Sequence, residues 1–174
     1  MLILLTGGAA SGKSRFAEAL CLSSPAPRFS LAAMQPYGAE GEARIRRHRA
    51  MREGKGFITI ERYTDYASLA LPARGTALLE CICNLTANEM FDENGRVSDP
   101  VERVLAGVDA VNAQCETLIV VTNDVGSDGT DYEAGTAAYI DALGRINRAL
   151  AARADAVAEL VAGIPIVLKG ALPL

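Results

Sequence analysis

Metal ligands are scarce in this chain. There is one histidine, His48, in 174 residues, and the four cysteines (Cys21, Cys81, Cys83, Cys115) form no C-x-x-C pair. That leaves no ligand set at zinc spacing, so free thiols in a reducing compartment, the cytoplasm, are expected. Long apolar runs are missing too: none reaches the ~18 residues that span a bilayer, and no membrane association is expected. Met1–Leu5 is apolar but has no basic leader and is shorter than a signal h-region, so it reads as a buried first strand. A basic excess is also absent. The net charge of −4 argues against nucleic acid as a partner. Neither an internal repeat nor a low-complexity linker interrupts the chain. Half of the residues are hydrophobic and 22% charged, as in a soluble globular protein, and the length suits one domain over residues 1–174.

Period and punctuation give alternating strands and helices. Strands are expected at Leu2–Leu5, Phe29–Ala33, Phe57–Ile60, Thr76–Cys83, Leu118–Val121, Val157–Val161 and Ile164–Leu168. Helices are expected at Lys13–Leu22, Glu40–Arg52, from Asp99-Pro100 to Gln114 with Asp99 as cap, and at Thr136–Ala154. Residues 124–135, rich in Gly and Asp, form the longest loop. This order predicts an α/β fold: a doubly wound, mainly parallel sheet of the P-loop NTPase kind. Helices would cover both faces, and there is room for an antiparallel edge strand near the end.

Gly7-Gly8-Ala9-Ala10-Ser11-Gly12-Lys13-Ser14 fits G-x-x-x-x-G-K-[ST] at every required position, between a strand and a helix. Glycines let backbone N–H groups converge on phosphate oxygens, and the following helix adds the positive end of its dipole. Lys13 would reach the β- and γ-phosphates of a bound nucleotide, and Ser14 would offer its hydroxyl to Mg²⁺. An acid at a neighbouring strand end should organise that metal. Glu80 and Asp124 both qualify, and Glu80, between Leu79 and Cys81, is the better placed.

His48 sits in the densest basic stretch, with Arg44, Arg46, Arg47, Arg49 and Arg52 around it. On a helix, Arg44 and Arg52 share its face. Five mutually repelling arginines call for an anion, and a triphosphate is the obvious one in this chain. Neighbouring cations also disfavour imidazolium, which keeps the ring in the neutral form a nucleophile needs. A solvated basic helix with an incidental histidine would present the same residues. Two further readings fit the phosphate loop: a kinase of another small molecule without a histidine intermediate, and a nucleotide-dependent regulatory switch. Against the switch, Thr122-Asn123-Asp124-Val125 is not the guanine-reading N-K-x-D.

Several segments together are more specific than the phosphate loop. They are Ala43-Arg44-Ile45-Arg46-Arg47-His48, Leu78-Leu79-Glu80-Cys81-Ile82, Val121-Thr122-Asn123-Asp124 and Gly144-Arg145-Ile146-Asn147. With that loop, the chain resembles, over nearly its whole length, the bifunctional adenosylcobinamide kinase/adenosylcobinamide-phosphate guanylyltransferases of cobalamin biosynthesis. The resemblance implies that His48 takes GMP from GTP and passes it to adenosylcobinamide phosphate, a corrinoid substrate. It also implies phosphorylation of adenosylcobinamide with ATP or GTP and Mg²⁺, and a homotrimer. By the same resemblance Ala32, Ala33, Met34, Arg49, Ala50, Met51, Arg52, Glu61 and Glu80 surround the guanine nucleotide; Ser14 and Glu80 are the expected metal-side residues from the phosphate loop and strand end. The chain departs from the family pattern at Ala10 (usually Arg), Arg52-Glu53-Gly54-Lys55-Gly56 (Arg-Pro), Phe57 (Trp), Asp124 (Glu), Ser127–Tyr132 and Tyr139-Ile140-Asp141. None of these is His48 or Lys13, so the resemblance carries guanylyl transfer more directly than the kinase step.

Overall fold

The computed structural model describes residues 1–36, 38–92, 96–126 and 129–173; of Glu40, Arg44, His48 and Met51 it describes the backbone alone. The strands are β1 (Leu2–Thr6), β2 (Arg28–Ala32), β3 (Phe57–Glu61), β4 (Thr76–Glu80), β5 (Thr117–Val121), β6 (Ala156–Val161) and β7 (Ile164–Lys169). They form one sheet in the order β3-β2-β4-β5-β1-β6-β7. Every neighbouring pair is parallel except β6 and β7, which are antiparallel at the edge. The helices are α1 (Lys13–Ser23), α2 (Gly38–Arg52), α3 (Ile82–Met90), α4 (Val101–Gln114) and α5 (Ala134–Arg153).

Alternation along the central strands explains their unbroken apolar runs. Leu2, Leu4, Leu79, Leu118 and Val120 face α3, α4 and α5, where Ile82, Leu85, Val108, Leu143 and Ile146 close the larger core. Ile3, Leu5, Leu78, Ile119 and Val121 face the other way and pack on Ala17, Leu20 and Cys21 of α1. A strand covered on both faces has no polar side to show, so period 2 is invisible in its sequence. The expected P-loop-type α/β architecture is the one observed, with its antiparallel edge strand.

One element differs. The run expected as a strand to Cys83 leaves the sheet at Glu80, and Ile82–Met90 is a helix capped at Cys81. Ile82, Cys83, Leu85, Thr86 and Met90 are all buried, a helical spacing that an apolar run shared with the preceding strand conceals. At the start of α4 the flanking residue is Pro100, which has no capping side chain. The expected acceptor comes from one position earlier: Asp99 Oδ1 accepts the Val101 N–H at 3.1 Å. That bond, and then Arg145 at 2.9 Å, hold the Asp99 carboxyl below its ordinary pKa. Ser127 and Asp128 of the long loop lie outside the described residues.

Candidate nucleotide site

The parallel strands end on one edge of the sheet, where ligands of open α/β sheets bind, and the phosphate loop leaves β1 at that edge. Gly7 has φ +139°, and a Cβ there would lie 2.6 Å from the Leu160 carbonyl oxygen, so only glycine fits. Ala10 (φ +57°) and Gly12 (φ +97°) are also left-handed, which folds the loop tightly ahead of α1. That helix starts without a capping side chain and without an acid in its first turn. Its leading N–H groups and positive dipole end are therefore directed at the loop. Lys13 is buried; its ammonium donates to the carbonyls of Gly7 (2.8 Å) and Gly8 (2.6 Å). Burial lowers its pKa, and the nearby Cys81 and Cys83 sulfurs partly oppose that.

In front of the loop lies a cleft of about 770 Å³. Ala9 to Arg15 form its floor, Ala32 and Met34 follow β2, and Ile45, Arg46, Arg49 and Arg52 come from α2. Thr59, Glu61 and Tyr63 belong to β3 and the chain after it, while Glu80 ends β4, Cys81 and Cys83 follow it, and Asn123 follows β5. Five cations (Lys13, Arg15, Arg46, Arg49, Arg52) meet three carboxylates (Glu42, Glu61, Glu80) on this wall. All three acids are bound to arginines: Glu42 to Arg46 at 3.4 Å, Glu61 to Arg49 and Glu80 to Arg52.

Among the described side chains of α2, only Arg52 is buried. The described side chains of this helix form no buried apolar stripe. Ion pairs gather at its C-terminal end instead: Arg49–Glu61, Arg52–Glu80 and, just beyond, Lys55 with the buried Glu18 of α1. The pairing of Arg52 with Glu80 is the most enclosed, with side-chain exposures of 7% and 12%.

Most of the expected nucleotide residues therefore share one cleft, but not all. Ala33 is fully buried; it contributes only backbone, its N–H donating to the Glu80 carbonyl and its C=O accepting from Asn88. Ala50 is exposed and lines an adjoining groove with Glu53, Gly54 and Phe57. Gly7 and Gly8 lie behind the cleft, holding Lys13. The side chains of His48 and Met51 lie outside the described residues. Asp124 is exposed and off the cleft wall; Asn123, one residue earlier, is the β5-end side chain that lines it. Asn123 also donates to Cys81 Sγ at 3.6 Å. In the Gly144-Arg145-Ile146-Asn147 segment, Arg145 binds Asp99, and Asn147 accepts from Thr122 at 2.8 Å, so both brace the scaffold.

Cys81 and Cys83 were not expected at the site. A strand-end rule that counted positions 81–84 would have found them. Cys83 is drawn down to a pKa of about 6, first by a hydrogen bond from Cys81, against the opposing effect of burial, and further by the Asn123 backbone N–H and by contacts with Thr122 and Tyr139. Cys81, as donor in that pair and buried, is pushed up. Thr59 and Tyr63 carry no sequence signal at all, since β3 brings them in from an edge strand.

Comparison with known proteins accords with this geometry. Residues 3–168 match the family model described as cobinamide kinase / cobinamide phosphate guanyltransferase. The chain is 35% identical to the bifunctional adenosylcobalamin biosynthesis protein CobU of Escherichia coli, covering 97% of this chain and all of that one. Its Salmonella typhimurium counterpart matches at 35% over the same shares. The CobP protein of Pseudomonas aeruginosa is 30% identical over 96% of each chain. Among solved structures, an ATPase of a bacterial type III secretion system superposes with a TM-score of 0.52. It is 9% identical and covers 91% of this chain and 50% of its own, a likeness of fold alone. By sequence over nearly its full length, the chain belongs to the cobinamide kinase/cobinamide phosphate guanylyltransferase family.

Proposed function

We propose that the protein transfers GMP from GTP, through a covalent adduct on His48, to adenosylcobinamide phosphate, and that it also phosphorylates adenosylcobinamide with ATP or GTP. The observation that carries this reading is the cleft itself, where the phosphate loop and the arginine-rich helix α2 face one space. Helical spacing puts position 48 on the turn shared by Ile45 and Arg52, both on the cleft wall. A neutral imidazole nitrogen would attack the α-phosphorus of GTP. The N–P bond forms as the α–β anhydride bond breaks, and pyrophosphate leaves toward Lys13 and the N-terminus of α1. The phosphate oxygen of the corrinoid then attacks the same phosphorus, breaking the P–N bond and freeing the imidazole. In the kinase step Lys13 holds the γ-phosphoryl group as the aminopropanol hydroxyl attacks it. The new O–P bond forms, the β–γ anhydride bond breaks, the nucleoside diphosphate leaves and the hydroxyl proton is lost to solvent.

Ser14 and Glu80 are hard oxygen donors on the cleft wall, which suits Mg²⁺, an ion ordinarily held by one or two protein oxygens, phosphates and water. Bound there, the metal would neutralise phosphate charge. Glu80 shares its carboxylate with Arg52, so Arg52 would orient it toward the metal side of the cleft. The reading extends to a homotrimer, for which the exposed Ile164, Ile166 and Leu168 of β7 offer apolar surface to bury. It extends also to the cytoplasm, where the four free cysteines stay reduced.

Incubation with α-labelled GTP and Mg²⁺ tests the central step. Acid-labile label on the wild type and none on His48→Ala is the expected result. A wild type that binds GTP yet takes no label refutes the histidine intermediate. If His48→Ala also keeps full phosphoryl transfer, the alternative kinase reading stands.

A further inference from the structure

The edge hairpin β6–β7 is at odds with its burial. Ile164, Ile166, Val167 and Leu168 of β7 are 45–66% exposed, and no β7 side chain enters either core. Its turn, however, lies against the phosphate loop. Strand β6 runs parallel to β1 and is still paired at Thr6 opposite Glu159, then continues alongside Gly7–Gly12. The Leu160 carbonyl lies 2.6 Å from where a Cβ of Gly7 would be, and Gly163 Cα lies 3.0 Å from that point on Gly12. The Gly163 N–H donates to the Ser11 carbonyl at 2.8 Å. Both ends of the loop thus rest on the hairpin.

We propose that the two-residue turn Ala162-Gly163 is a positioning element for the phosphate loop, with Gly163 as its positioning residue. The proposal rests on the cleft being a triphosphate site and adds a residue to how that site is held. The Ser11–Gly12 peptide is a planar trans unit, so its C=O and N–H point in opposite directions. With the Ser11 carbonyl bound to Gly163, the Gly12 N–H is aimed away from the hairpin. Gly12 lines the cleft and residues 160–163 do not, so that direction is the phosphate side. The turn that holds this bond needs left-handed backbone at two consecutive positions, φ +50° at Ala162 and +83° at Gly163, as tight hairpins of primed type do. Losing that conformation at Gly163 would swing its N–H off Ser11 and release the loop.

The test separates backbone conformation from side-chain bulk. A Cβ at Gly163 meets nothing within 4 Å, so larger side chains fit there and differ mainly in tolerance of positive φ. Asparagine adopts it readily, alanine poorly and valine worst. GTP affinity, kcat, KM and melting temperature would be measured for Gly163→Asn, Gly163→Ala and Gly163→Val. Gly163→Val should lose on the order of tenfold or more in GTP affinity and kcat, the scale on which small misplacements act. Gly163→Ala should fall between, and Gly163→Asn, close to valine in size, should restore wild-type values. If the melting temperatures fall in that order while affinity and kcat stay within twofold, the turn is structural only and the proposal fails. Should valine unfold the protein, the alanine–asparagine pair still decides. A wild type that binds no GTP overturns the triphosphate reading, whatever the variants do.

Discussion

Replacing Arg52 by methionine removes the cation from the most enclosed ion pair in the cleft and leaves Glu80 with 12% side-chain exposure beside an apolar neighbour. Stranding one partner of a buried pair costs about 3–5 kcal/mol, mainly because the remaining charge has lost water and counter-charge together. Glu80 retains some contact with the open cleft and is not held by Arg52 alone, so the lower end, about 3 kcal/mol, is the upper bound expected. For a chain of this length that corresponds to a fall in Tm of roughly 6–12 °C. Arg52 is also the only buried side chain among those described on α2, so its loss should loosen that helix before the sheet melts. The assay is urea unfolding of wild type, Arg52→Met, Glu80→Leu and the double variant. Removing both charges replaces the pair by apolar groups, so the double variant should recover at least about 1.5 kcal/mol relative to the sum of the singles. A coupling below about 0.5 kcal/mol would refute the reasoning. It would mean that the pair is effectively solvated and that α2 docks by other contacts.

Two further outcomes follow from the titrating groups. Lys13, its pKa lowered by burial, binds a triphosphate as the ammonium, so GTP affinity should fall with rising pH earlier than for an exposed lysine. Lys13→Arg, which stays charged, should lack that step in a titration of Kd; an identical profile in both proteins would exclude Lys13 as its source. Cys83, down at about 6, should react with a small alkylating reagent at pH 7 ahead of Cys21 and Cys115, which burial raises to about 12 and 11. Peptide mapping should find that reaction slowed by GTP, since Cys83 lines the cleft; label arriving first on Cys21 would contradict the order.

How far the sequence could be read differs from residue to residue. The phosphate loop was legible because its function needs backbone freedom, a cation and a hydroxyl at fixed neighbouring positions, all of them local. The strand β5 and the stripe on α5 were legible for the same reason, as period and apolarity recur within a few residues. Helix α3 was missed because Ile82 belongs to an apolar run that begins in β4, and local period is ambiguous across that joint. Of the two acids that strand-end position suggests, Glu80 lines the cleft and Asp124 does not, because the chain beyond β5 turns Asn123 toward the cleft instead. Ala33 and Ala50 bracket true cleft residues, and only packing decides which neighbour faces in.

What the chain determined by itself is the succession of strands and helices, the phosphate loop and the concentration of arginine around His48. Each rests on interactions between residues close along the backbone. The tertiary structure alone decided that Arg52 meets Glu80, that the described side chains of α2 anchor it by charge, and that Gly163 reaches Ser11 across 152 positions. Such pairings depend on strand order and register, which loop closure and sheet packing settle over the whole molecule. No local pattern encodes them.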